Sequence, residues 1–270
     1  MSVGGTRGWK RRPPRLVGLV GCLILLAAGG CSSSADPTCP PSGACTRVLF
    51  LGNSYTYVND LPSTFAHLAQ SGGLPVQVDI VANGGETLSQ HAASSADAAM
   101  IASRSWTYVV LQEQSDTPAF SSAADSMYAP ARTLADMARG SGSGTMLFMT
   151  WAHRDGEPDA GLGSYEAAQE GVDRTYLTLS GSLGVPVAPV GYTWLHVHLD
   201  HPGIDLWQDD GSHPTAAGTY LAACVFYAAI FRRSPEGLSY YGGASASDAR
   251  ILQTEAAQRV LDLEAQWGLG

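Results

Sequence analysis

A serine, a histidine and an aspartate stand where they could act together. Ser54 follows the turn Gly52-Asn53, directly after the apolar run Arg47–Leu51. Far downstream lies Asp210-Gly211-Ser212-His213-Pro214. An aspartate three residues before a histidine can support the imidazole from the same loop, and the imidazole can take a serine proton. Glycine allows a sharp bend before Ser54, and a helix start beyond it would aim N–H groups at an anion. These are the parts of nucleophilic acyl transfer: nucleophile, base, orienting acid and oxyanion donors. Asp209 is the rival for the orienting acid, and the three-residue spacing favours Asp210. Pro214 suits the first position of a following helix.

Other chemistries find less support. HExxH, GxGxxG and GxSxG are absent, and Lys10 is the only lysine, so the body has neither a P-loop lysine nor a Schiff-base lysine. His196, His198 and His201 crowd one segment with Asp200, read here as a loop. On an extended segment His-x-His would point two imidazoles to one face, where they could hold a metal. The plainer reading is a polar loop at the rim of a cleft. No metal and no cofactor is expected.

These residues need a scaffold. Arg47–Leu51, Val76–Val81, Tyr108–Leu111, Thr145–Thr150 and Val185–Val190 are short apolar runs with strand propensity. Leu61–Gln70, Leu88–Ser103, Ala123–Arg139, Tyr165–Leu183, Pro214–Phe231 and Ser247–Trp267 carry helical spacing, the last with Ser247 as N-cap. Strands alternating with helices predict an α/β three-layer sandwich, a five-stranded and mainly parallel sheet flanked by helices. In such sheets the ligand site lies beyond the carboxyl ends of the strands. Gly52-Asn53-Ser54, Asn83-Gly84-Gly85, Gln112–Ser115 and Trp151-Ala152-His153 occupy those places.

Fifteen Lys+Arg against 24 Asp+Glu give a formal net charge of −9 over 270 residues. Five of the basic residues fall in the first thirty positions, where there is no acid. The remaining ten against 24 leave −14 on the rest. Such an acidic body excludes a nucleic-acid binder, and 45% hydrophobic residues suffice for a core. The basic stretch Arg7–Arg15 precedes the apolar run Leu16–Ala28, too short for a comfortable membrane span and suited to a signal peptide over residues 1–30. Ala28-Gly29-Gly30-Cys31 resembles a bacterial lipobox, with Cys31 as the lipid attachment point. Residues 31–45 then form a lipoprotein tether, and residues 46–270 form one domain. This predicts export, with membrane anchoring at the bacterial cell envelope or else secretion. Cys39 and Cys45 bracket a Pro-rich loop and suit a disulfide in an oxidising compartment. Cys224 lies in an apolar helical run and reads as a buried thiol.

The blocks resemble those of the SGNH (GDSL-like) hydrolase superfamily. Leu51-Gly52-Asn53-Ser54-Tyr55-Thr56 looks like its first block, Asn83-Gly84-Gly85 its second, and Asp210-Gly211-Ser212-His213-Pro214 its DxxHP block. Where the family has Gly-x-Asn-Asp, this chain has Gln112-Glu113-Gln114-Ser115, which is similar to a bacterial branch with GNSYT and LQEQS blocks. The resemblance implies a triad of Ser54, His213 and Asp210. It implies an oxyanion hole from the Ser54 and Gly85 N–H groups and the Gln114 amide; a register two residues earlier would bring in Gln112 instead. Tyr55, Trp151 and His153 are candidates for the substrate pocket. The implied activity is an exported serine esterase acting on acyl esters, including acetyl esters, of carbohydrate. A sugar O-acyltransferase with the same triad, and a catalytically silent glycan-binding lipoprotein, are the alternatives.

Overall fold

The computed structural model describes residues 45–158 and 161–270. The signal segment, the tether, Cys31 and Cys39 lie outside the described residues; Cys45 is disulfide-bonded. Five strands form one sheet: β1 Thr46–Gly52, β2 Val76–Ala82, β3 Tyr108–Leu111, β4 Gly144–Phe148 and β5 Val187–Ala188. Their order is β2-β1-β3-β4-β5 and every pairing is parallel. The sequence alternates because each parallel neighbour needs a crossover, and helices supply them. Central strands carry apolar residues on both faces: Val48, Leu49, Phe50 and Leu51 of β1 are all fully buried, as a sheet covered on both sides requires.

Between β1 and β2 run the single turn α1 (Ser54–Tyr57) and α2 (Leu61–Ser71). From β2 to β3 run α3 (Leu88–Ala93) and α4 (Ser95–Ala102), then α5 (Ser121–Gly140) leads to β4 and α6 (Tyr165–Leu183) to β5. After β5 come α7 (Val190–Asp200), α8 (Ala216–Phe231) and α9 (Ala246–Leu261). Helix α8 packs between α2 and α9, while α5 packs on α3, α4 and α6. Twelve of the sixteen residues of α8 are buried, Cys224 among them, which accounts for its near-continuous apolar run.

Several expected boundaries shift for local reasons. Strand β5 is two residues rather than six, because Pro186 and Pro189 flank it and a proline cannot donate to a ladder. The run Leu88–Ser103 is two helices, broken at Ser94, whose extended backbone ends α3 while its hydroxyl caps α4 at Asp97. Helix α8 is capped by Thr215 and α9 by Ser245, so Pro214 and Ser247 are not the starting positions the sequence suggested.

Candidate active site

The carboxyl end of β1 runs into Asn53, and Asn53 caps α1. Its side-chain oxygen accepts the Tyr55 N–H at 3.1 Å, and its carbonyl accepts the Thr56 and Tyr57 N–H groups. Ser54, half-buried, begins this turn. The turn rests on Gln112, the first residue past β3. Because Leu51 pairs with Leu111, Gln112 falls beside Gly52. Its Oε1 accepts the Asn53 N–H at 2.9 Å and the Thr56 hydroxyl at 2.8 Å, and its Nε2 donates to Asn53 Oδ1 at 2.8 Å. Gln112 is fully buried. A Cβ on Gly52 would come within 2.4 Å of Gln112 Oε1, so only glycine fits above this amide.

The second turn follows β2. Gly85 has φ +68°, a conformation glycine adopts freely. The Asn53 Nδ2 donates to the Glu86 carbonyl at 3.0 Å, and Glu86 Oε2 accepts the Asn83 N–H at 3.0 Å. The Ser54 turn and the glycine turn are thus tied together. Neither the Ser54 N–H nor the Gly85 N–H makes a hydrogen bond among the described residues.

Asp210 and His213 come from the loop between α7 and α8. Asp210 Oδ2 lies 2.6 Å from His213 Nδ1, while Oδ1 accepts the Ser212 and His213 N–H groups at 2.9 Å each. Partial desolvation would raise the Asp210 carboxyl, but these hydrogen bonds outweigh it and hold it at about 2. A carboxylate only accepts, so Nδ1 carries a hydrogen, and in the neutral imidazole it is Nε2 that keeps the lone pair. The neighbouring Asp209 instead offers its carbonyl to Arg154.

This loop is fastened to the Ser54 turn through aromatic rings. The Tyr55 hydroxyl is 2.9 Å from Ser212 Oγ, and the Trp151 indole N–H donates to the Ser212 carbonyl at 2.9 Å. Tyr55 stacks on Trp151 at 4.4 Å, and Trp151 stacks on Trp194 at 4.0 Å. The edge-on His213 ring is 6.1 Å from Tyr55, the residue after Ser54. Tyr55 and Trp151, candidates for the substrate pocket on sequence, are 2% and 0% exposed. Rings sandwiched in the core offer no face to a substrate, and their structural work here is to hold the loop.

Gln114 folds onto its own loop. Its Oε1 accepts from the Asp116 N–H, the Thr117 N–H and the Thr117 hydroxyl, and its Nε2 donates to Ser115 Oγ. One amide hydrogen remains for another acceptor. Beyond it, His153 lies between two carboxylates, with Nδ1 2.8 Å from Glu157 and Nε2 3.2 Å from Asp116. The hydrogen bond to Glu157 and the surrounding carboxylates, Asp210 among them, raise its pKa against partial desolvation. Nδ1 faces Glu157 and Nε2 faces Asp116, so the two carboxylates grip the ring from both sides.

Two of the three downstream histidines, His196 and His198, are not on a loop. Helix α7 carries both, and helical spacing separates them: His196 lies against Tyr192, His198 against Tyr165 and Trp207. His201, just past the helix, lies 3.2 Å from Glu255 of α9. They form no common ligand set. Sequence reasoning missed Gln112 as the anchor of the Ser54 turn and missed the buried His91. A polar residue directly after an apolar strand, next to the block of interest, was the only available signal.

The parallel sheet of this α/β sandwich places Ser54 just after β1 and the Asp210–His213 pair just before α8. Comparisons with solved structures match this fold. A DUF4886 family protein from Bacteroides uniformis superposes with TM-score 0.71 at 17% identity, covering 81% of this chain and 95% of its own. An SGNH-hydrolase candidate from Slackia heliotrinireducens gives TM-score 0.57 at 27% identity, covering 68% and 97%. A catalytic mutant of Axe2, an acetylxylan esterase from Geobacillus stearothermophilus, gives 0.54 at 15% identity, covering 70% and 95%. No protein-family model and no curated protein matches the chain. The fold, together with the 27% identical neighbour, places the chain in the SGNH (GDSL-like) hydrolase superfamily.

Proposed function

We propose that the chain is an exported serine esterase that removes acyl groups, acetyl included, from carbohydrate esters, with Ser54, His213 and Asp210 as its triad. The observation that carries this is the Asp210–His213 pair on a loop fastened to Tyr55, the neighbour of Ser54. His213 Nε2 takes the Ser54 proton as Oγ attacks the ester carbonyl. The tetrahedral oxyanion is held by the Ser54 and Gly85 N–H groups and by the remaining Gln114 amide hydrogen. Collapse expels the alcohol, which leaves with the proton from His213. Water then repeats the cycle on the acyl-enzyme, releasing the acid. Catalytic hydrogen bonds are commonly loose until substrate closes them, which fits a Ser54 hydroxyl without an internal partner among the described residues. One oxyanion donor is worth about 3 kcal/mol in the transition state.

Asp116, His153 and Glu157 suit the alcohol side, since sugar hydroxyls are donors that carboxylates accept. Export and anchoring through a lipid on Cys31 rest on the first 31 residues alone, and would place the enzyme on membrane-proximal acylated glycans. The test is labelling by a fluorophosphonate together with acetate release from acetylated xylooligosaccharides and aryl acetates. Wild-type labelling that disappears in Ser54→Ala supports the triad. Acyl transfer to added sugar in place of acetate release would instead favour the acyltransferase, and absence of labelling the silent glycan binder.

A further inference from the structure

One buried titratable pair has no part in the chemistry above. His91 of α3 is 0% exposed, and Asp97, in the first turn of α4, 5%. His91 Nδ1 lies 2.6 Å from Asp97 Oδ2, and its Nε2 lies 3.0 Å from the Gly52 carbonyl and 3.6 Å from Glu86 Oε2. The second Asp97 oxygen accepts the Ser94 hydroxyl at 2.7 Å. Removing an imidazole and a carboxylate from water is unfavourable unless their partners are well placed, and an apolar side chain would fill the same space more simply. The informative fact is what the pair grips. Gly52 is the last residue of β1, one step before the Asn53-Ser54 turn. Glu86 directly follows Gly85. The imidazole therefore spans the roots of the two turns that carry the free N–H groups, beside the Asn53 Nδ2 bond to the Glu86 carbonyl.

We propose that His91, backed by Asp97, is a positioning residue that fixes the spacing between the Ser54 and Gly85 N–H donors. This rests on the oxyanion role given to those donors above. Nothing in the arrangement touches the ground-state ester, so the effect falls on the transition state. A donor misplaced by about 1 Å can lower the rate as much as roughly a hundredfold. Asp97 sets the ring: its carboxylate accepts from Nδ1, and Nε2 donates to the Gly52 carbonyl.

The experiment compares His91→Phe and His91→Gln with wild type, full chain, on an aryl acetate, with amide hydrogen exchange of the same samples. Phenylalanine fills the space without a donor; glutamine places an amide near the Nε2 position and can donate to the Gly52 carbonyl. In a folded His91→Phe protein kcat should fall about tenfold or more with KM within twofold, and His91→Gln should recover most of it. Exchange should quicken in segments 53–57 and 84–87 of His91→Phe while β3 and β4 stay protected. If His91→Phe does not fold, His91→Gln decides: kcat within about threefold of wild type supports the inference, and a tenfold loss with intact folding overturns it. Unchanged kcat in folded His91→Phe, or a loss that glutamine does not recover, overturns it as well. Should wild type show no Ser54-dependent hydrolysis, the esterase reading fails, and exchange decides this inference alone: unchanged exchange in both turns overturns it.

Discussion

Gln112→Leu is the most informative single substitution in the site. Leucine matches much of the volume but removes both ends of the amide. It strands the Asn53 N–H and the Thr56 hydroxyl, which lie 2.9 and 2.8 Å from Gln112 Oε1. Each buried donor left unpaired costs about 1–3 kcal/mol, so roughly 2–6 kcal/mol of stability should go. For a domain of this size, 1 kcal/mol moves Tm by about 2–4 °C, giving a fall of roughly 4–24 °C in thermal unfolding followed by circular dichroism. The Ser54 turn hangs from the same two bonds, so kcat on an aryl acetate should drop in whatever fraction remains folded. Gln112→Glu separates shape from polarity. It keeps the acceptor toward Asn53 and Thr56, but its second oxygen faces Asn53 Oδ1 and the Glu113 carbonyl, both acceptors. That oxygen is tolerated only when protonated, so the folded-state pKa of the new carboxyl is raised. Its neutral form is favoured below that value, and the variant should lose stability as pH rises through it. A Gln112→Leu protein within 2 °C of wild type and within twofold in kcat would refute the whole construction.

Asp210→Asn should lower kcat while Asp209→Asn leaves it within about twofold, since only Asp210 meets the imidazole; steady-state kinetics with the reverse ranking would reassign the acid. His153 has a raised folded pKa, so its bond to Glu157 adds stability fully present below about pH 6.5, its ordinary value, and lost as pH rises through the folded value. Glu157→Gln should therefore cost more Tm at pH 5.5 than at pH 8.5, and equal losses at both would remove the charged contact from the account. Cys31→Ser should move the protein from the membrane fraction to the soluble one; retention after a carbonate wash would make residues 16–28 an uncleaved anchor.

The sheet was legible because its strands are buried on both faces, and Val-Leu-Phe-Leu in β1 or Tyr-Val-Val-Leu in β3 leaves little else to read. The Asp210–His213 contact was legible because three residues of one loop carry it. Helix α7 was hidden. Its buried stripe of Val190, Thr193, Trp194 and Val197 is short and interrupted by Gly191 and two histidines, so its period is drowned. The roles of Gln112 and His91 depend on partners 59 and 39 residues away in sequence. Only the register of β1 against β3 and the packing of α3 under β1 bring them in. A polar side chain whose partners are set by strand register leaves no local pattern. Tyr55 and Trp151 misled for a related reason: aromatic residues beside a nucleophile look the same in sequence whether they face the cleft or stack beneath it.

The clasp between Tyr55 and Ser212 joins residues 157 positions apart. A ribosome adding about 5–20 residues per second needs roughly 8–30 s to travel between them. During that interval the nascent chain has its Ser54 turn but no Asp210–His213 pair, and the faces of Tyr55 and Trp151 have no loop to grip. A truncated product ending anywhere in α6 or α7 could complete β1 to β4 and still be chemically inert. The proposed activity therefore arrives in one late step, with the last third of the chain, rather than growing as the sheet grows.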